Sequence, residues 1–277
     1  MDMHASGLLV PFWSGERKMV KTLKEIYSYR EMIYSLVHKE LRGKYKGSVL
    51  GFLWSLLIPL FQLVVYTIVF SVFMQSGIEK FYMFLFVALI PWLFFNNCIS
   101  GGAMSIIQQK NLVQKIYFPR EVLPLSFVIS SFVNMLLSFL VVFGALFISG
   151  TGVRLSVLWY LPIILVVEFI MGLGGALLFS ALTVYFRDLE YIIGIVTMAW
   201  MYMTPILYPL DQLPEHIQPI LYYNPMTSVI IAYRDILYYQ QVPDLKTLAY
   251  ALIWGIVLLI LGSAVFSGLK RNFAEEL

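Results

Sequence analysis

Six apolar stretches, each long enough to cross a bilayer, dominate this chain of 277 residues. They cover about 49–74, 82–107, 122–149, 161–186, 191–208 and 248–269. A helix crossing roughly 30 Å of hydrocarbon needs about 20 apolar residues. The runs are continuous rather than alternating, so helices and not a barrel are implied. The rest of the chain offers no alternative solvent. Hydrophobic residues make up 60% and charged residues 13%, against about 25% charged in soluble domains. The expectation is an all-α polytopic membrane protein with six transmembrane helices.

Cations set the orientation. Lys and Arg concentrate on the cytoplasmic side of spans. With the N-terminus inside, 15 of the 19 fall in inner segments, and only Lys80, Arg154, Arg234 and Lys246 lie outside. Cytoplasmic N and C termini are therefore expected. The chain divides into a cytoplasmic region, 1–47, and a six-span domain, 48–277. Within that domain, 108–121 is a cytoplasmic loop and 205–246 an outer hairpin. No secretory signal is expected, because "LLVPFW" is too short and lacks a small-residue cleavage site.

Several function classes lack their chemical groups. The chain has one cysteine, Cys98, and its three histidines, His4, His38 and His216, lie outside the spans. No metal site is expected. There is no HExxH, no intramembrane Asp pair and no Ser–His couple, so hydrolysis within the membrane is not expected. Intramembrane ionisable groups usually mark proton or ion sites, yet the spans hold only Glu168. That residue heads a stripe of Gly172, Ala176 and Ser180 that suits close helix packing. A packed, hydrogen-bonded carboxyl is expected there, with a substrate contact as the sharper alternative. No GxxxxGK[ST] loop occurs, so the chain is not expected to hydrolyse ATP. No nucleic-acid partner is implied.

Four regions carry candidate function. In "KTLKEIYSYREMIYSLVHKELRGKYKG" the apolar residues follow helical spacing, which predicts a basic amphipathic helix in the membrane interface. Arg42, Lys44 and Lys46 follow it at the mouth of the first span. They serve topology and lipid attraction, or capture of a diphosphate headgroup. In the first span, Ser55, Gln62, Tyr66, Phe70 and Phe73 share a helical face, with Trp54 beside them. Such a polar–aromatic stripe suits a sugar path, and equally a lipid or packing face. In the outer hairpin, Asn224 is a helix N-cap and Pro225 the first-turn residue. Short helices there either dip back into the membrane or lie across it. The fourth region is the polar loop "KNLVQKIYFPREVLPLS", which on pattern alone is a cytoplasmic loop with some docking role.

Four stretches together carry a resemblance. "LRGKYKGSVLGFLWSLLIPLFQLVVYTIVF" (Leu41 to Phe70), "IPWLFFNN" (Ile90 to Asn97), "NLVQKIYFPREVLPLS" (Asn111 to Ser126) and "YYNPMTSVIIAYRDILY" (Tyr222 to Tyr238) resemble type-2 ABC exporter permeases. Members of that family move cell-envelope polysaccharides such as wall teichoic acid and O-antigen. The resemblance implies a half-transporter in a bacterial plasma membrane, working as a homodimer with two ATP-binding cassette subunits. ATP and Mg would be bound by those partners, leaving this chain without a cofactor or catalytic residue. It implies that the polar loop is a coupling element seated on the ATPase. Lys110, Asn111, Leu112, Val113, Gln114, Lys115, Ile116, Tyr117, Phe118, Pro119, Arg120 and Glu121 would form it, with Leu112, Val113, Ile116, Tyr117 and Phe118 as its apolar key. Arg187 and Asp188 form a second cytoplasmic turn. The implied cargo is a polyprenyl-diphosphate-linked glycan. Export of another lipid or glycolipid, and an ATPase-independent channel or carrier, are the competing readings. A membrane transferase would need Asp188, Glu190, Asp211 or Glu215 as its acid or base, and none sits in a recognisable motif.

Overall fold

The computed structural model describes residues 24–43, 48, 50–73, 77–148, 150, 152 and 154–277. Among these residues the regular structure is entirely helical. A short helical stretch, 24–28, leads into α1 (Arg30–Gly43), which carries Glu31 in its first turn and Arg42 in its last. Both charges suit the helix dipole. On α1, Met32, Ile33 and Leu36 turn inward, while Tyr34 and Lys39 stay exposed. Next come α2 (Trp54–Thr67), α3 (Phe81–Met104), α4 (Lys110–Lys115), α5 (Val122–Ile148), α6 (Leu155–Leu158) and α7 (Leu161–Tyr185). The series ends with α8 (Leu189–Met203), α9 (Gln218–Leu221), α10 (Pro225–Leu237), α11 (Leu245–Leu269) and α12 (Phe273–Glu276).

α3 is the mast of the bundle. It is apolar all round and almost wholly buried, as a helix with no polar face must be. α5, α7, α10 and α2 pack around it, and α11 lies along α7. Small side chains set these distances. Gly172 of α7 meets Phe94 and Cys98 of α3, and Gly102 of α3 faces Ala176 of α7. The Gly172–Ala176 stripe therefore does pack closely. On another side of α7, Gly174 meets the backbone of α11 at Leu258 and Gly262, and Gly255 faces the Val167 carbonyl. At neither Gly174 nor Gly262 is there room for a Cβ.

Among the described residues, four helical segments are long and apolar enough to cross a membrane: Phe81–Met104, Val122–Phe147, Leu155–Tyr185 and Leu245–Glu276. The first and fifth expected spans are shorter as helices, Leu56–Phe70 and Leu189–Met203. The causes are local. In α2, Pro59 lacks the N–H of a regular helical turn, and the chain beyond Thr67 continues as a π-helix, Ile68–Phe73. In α8, Pro205 forces the preceding Thr204 into extended backbone, φ −101° and ψ 138°, which ends the helix. At about 1.5 Å per residue, the 15 residues of α8 rise roughly 22 Å, less than the hydrocarbon thickness.

The outer hairpin is not a loose loop. Eleven of the 13 residues of α10 are buried, against α3, α7 and α11. Asn224 caps it as expected, its Oδ1 accepting from Met226 N at 3.0 Å. The same side chain ties the end of α8 to the start of α10. Trp200 Nε1 donates to Asn224 Oδ1 at 2.9 Å, and Asn224 Nδ2 donates to Thr204 Oγ1 at 2.8 Å.

Candidate functional site

The 108–121 connector lies at one end of the bundle, between α3 and α5. Its helical part is the end of a 3-10 turn, Ile107–Gln109, running into the short α4. Ile116 leaves that helix in extended backbone, φ −128° and ψ 137°, and Pro119 prevents a restart before α5. The five-residue apolar key is split by this geometry. Val113 and Phe118 are 4% and 5% exposed and point inward, into a cluster with Ile106, Val122, Phe266 and Phe273. Ile116 and Tyr117 are 54% and 87% exposed and form the projecting tip. Leu112 is half-buried, and Asn111 and Gln114 are exposed. Only part of the expected key faces outward, because Phe118 is claimed by the chain's own core.

The charged rim divides in the same way. Lys110 and Lys115 are exposed. Arg120 and Glu121 instead bind the connector to the residues after α11. The Arg120 guanidinium donates to the carbonyls of Lys270 and Arg271. Lys270 Nζ pairs with Glu121 Oε1 at 2.5 Å. On the other flank, Lys39 Nζ of α1 donates to Gln109 Oε1 at 3.1 Å, and Tyr29 OH reaches the Tyr117 carbonyl at 3.4 Å. Tyr185 OH donates to the Leu269 carbonyl at 3.0 Å. That bond brings the exposed Phe186–Asp188 turn, with Arg187, to this same end. The result is a seat built from α1, the connector and 270–277, with the Ile116–Tyr117 tip on top.

The two other expected sites fare differently. Arg42 is exposed at the end of α1, whereas Lys44 and Lys46 lie outside the described residues. In α2, Trp54 is exposed and its Nε1 donates to Ser48 Oγ at 3.0 Å; the Ser55 side chain lies outside the described set. Gln62, Tyr66 and Phe70 are half-buried, and Phe70 stacks on Phe81 of α3 at 5.7 Å. Tyr66 packs against the main core, and Phe73 is exposed. The centre of the stripe therefore leans on the chain's own bundle. The uncovered face of α2 is a different one, Ile58, Phe61, Val65, Ile68 and Val72. α8 is likewise uncovered along Tyr191, Ile195, Met198 and Tyr202.

Two buried polar groups complete the picture. Glu168 is 0% exposed and accepts a 2.5 Å hydrogen bond from Tyr233 OH of α10, in line with a packed carboxyl. Tyr233 in turn stacks on Phe139 of α5 at 5.4 Å. Arg234, expected as an ordinary outer cation, is 4% exposed. Its guanidinium donates to the carbonyls of Pro205 at 2.5 Å and Ile206 at 2.6 Å, and reaches those of Phe84 and Tyr208 at 3.4 Å. It also lies 3.5 Å over the Phe84 ring. The signal was present in the sequence: Met226, Ile230, Tyr233, Arg234 and Leu237 fall on one helical face, so Arg234 sits in the buried stripe of α10.

A bundle of apolar helices, four of them long enough to cross a bilayer among the described residues, defines a multi-pass inner-membrane protein. The chain belongs to the ABC-2 type transporter family, whose pattern matches residues 31–238. It is similar to the O-antigen export system permease protein RfbA of Myxococcus xanthus, 33% identical over 264 residues, 94% of this chain and 100% of the relative. The RfbA protein of Klebsiella pneumoniae is 35% identical over 247 residues, 89% and 95% of the two chains. The polysialic acid transport protein KpsM of Escherichia coli is 23% identical over 246 residues, 84% and 92%.

Proposed function

We propose that this chain is the membrane subunit of an ATP-driven exporter of cell-envelope polysaccharide. It carries six spans, with both termini and the connector in the cytoplasm. α2 crosses together with the helical turns that flank it, and α8 crosses as a short helix. Two copies assemble with two ATP-binding subunits, which bind ATP and Mg and supply the hydrolysis. The observation that carries this reading is the Ile116–Tyr117 tip. A bare aromatic ring 87% exposed, on a seat braced from two sides and rimmed by Lys110 and Lys115, has the anatomy of a small interface: apolar centre, charged edge.

The cargo is a polyprenyl-diphosphate-linked glycan. An O-antigen type polymer is favoured by the named roles of the RfbA relatives; wall teichoic acid is the less supported polymer. Arg42, Lys44 and Lys46 would gather the diphosphate, since each basic residue at an anionic surface contributes about 1 kcal/mol. The uncovered apolar faces of α2 and α8 meet those of the second copy and border the path. The glycan passes there while its lipid stays in the bilayer.

Tyr117→Ala, alone and with Ile116→Ala, tests the docking assignment. Capture of the ATP-binding subunit and surface display of polysaccharide should both fall by at least roughly tenfold, with insertion into the membrane unchanged. Normal display by the double variant, or transport by this chain in vesicles without nucleotide, would overturn the reading.

A further inference from the structure

α11 does not stop at the end of the bundle. It runs through a 3-10 turn, Lys270–Asn272, into α12, and this segment turns back under the connector. Three different interactions converge there. The Lys270 ammonium pairs with Glu121, the Arg120 guanidinium grips the carbonyls of Lys270 and Arg271, and Phe273 is fully buried in the cluster holding Val113 and Phe118. Phe273 also meets Phe266 edge-on at 5.4 Å and Tyr185 at 6.3 Å. On the opposite flank, Tyr29 and, on α1, Met32, Ile33 and Leu36 pack on the same cluster, with one long hydrogen bond from Tyr29 and an exposed Lys39–Gln109 pair but no charge pair among the described residues. The Lys270–Glu121 pair is mostly buried, its side chains 32% and 11% exposed. Its geometry is what matters: charge pair, guanidinium grip and buried ring all attach the connector to the end of one helix.

That helix has no slack against its neighbour. Gly174 and Gly262 bring the backbones of α7 and α11 together at positions where a Cβ would collide, and Gly255 extends the close contact against the Val167 carbonyl. Closely packed elements transmit displacement rather than absorb it. A push on the tip therefore has a rigid route into α11 and α7, besides the covalent one through α3 and α5.

We infer that residues 270–277 act as a strut that binds the connector to the α7–α11 pair, so that these parts move as one body when the ATP-binding partner pushes. Lys270 and Phe273 are then positioning residues, acting through the connector. This inference rests on the docking role proposed for Ile116 and Tyr117.

The test uses the complete complex. Lys270→Gln and Phe273→Ala should lower the polysaccharide displayed per ATP hydrolysed by roughly tenfold. Membrane level and capture of the ATP-binding subunit should stay at wild-type values. Lys270→Arg should restore display. If Phe273→Ala fails to accumulate, Lys270→Gln carries the test alone. A second arm joins Glu121→Cys and Lys270→Cys with a short thiol cross-linker, the one native cysteine, Cys98, being buried. One rigid body predicts that the linker raises display per ATP above that of the unlinked double variant, which lacks the Lys270–Glu121 pair. An inhibition that reductant reverses would mean that connector and strut must slide, and would overturn the inference. So would wild-type display per ATP in Lys270→Gln while Tyr117→Ala is inactive, an outcome that leaves the docking assignment standing. Wild-type behaviour of Tyr117→Ala would remove the docking assignment and this inference together.

Discussion

Arg234 shows how far a single side chain can depart from its place in a charge count. As one of four outer cations it reads as a topology marker. In the fold it satisfies carbonyls that Pro205 and the end of α8 leave without helical partners. Buried unpaired acceptors cost about 1–3 kcal/mol each. Arg234→Ala should therefore lower stability by roughly 3 kcal/mol, seen as a lower unfolding midpoint in detergent. Arg234→Lys should recover less than half of that loss, since a compact ammonium cannot span the set as a planar fork does. Glu168 was readable, being the lone ionisable group in the spans. Glu168→Gln keeps an acceptor for Tyr233 OH and should leave polysaccharide display near wild type. Tyr233→Phe should cost about 1 kcal/mol in the same unfolding assay. A large export defect in Glu168→Gln with stability intact would instead mark a carboxylate that the cargo uses.

At the scale of elements, helices were legible and their faces only partly so. Apolar runs reveal α3, α5, α7 and α11 because lipid and core demand the same side chains. The same equivalence hides which face meets which neighbour. Gly172 and Ala176 stood out through their four-residue spacing, whereas Gly174, Gly255 and Gly262 match across two helices, a pairing that one sequence does not display. Gly262→Ala should force α7 and α11 apart and cost roughly 1–3 kcal/mol. Gly144→Ala in α5, where a Cβ meets nothing within 4 Å, should be neutral or slightly stabilising. Equal effects in a thermal-shift comparison would deny that the α7–α11 contact is as close as described. The connector teaches the same lesson. Its apolar residues were visible, but the inward turn of Phe118 depends on Phe273, which is remote in sequence.

For the molecule as a whole, the class was legible because composition and span length leave few alternatives, and the family match agrees. The short α2 and α8 were not, because hydropathy registers neither the change to a π-helix after Thr67 nor the proline that ends α8. Their uncovered faces predict the assembly. Cysteines at Phe61 or Ile195 should cross-link to a second copy in native membranes, while cysteines at Ile253 or Ile260, exposed on α11, should not. Cross-linking confined to α11 would reverse the proposed arrangement.

The proline that cuts α8 short has a further consequence for the membrane itself. A helix of roughly 22 Å flanked by full-length neighbours leaves a hydrophobic mismatch, which lipids relieve by thinning at modest elastic cost. In the proposed topology both leaflet surfaces would dip toward each other along that edge, and the charged headgroup of the proposed cargo would have less oil to cross.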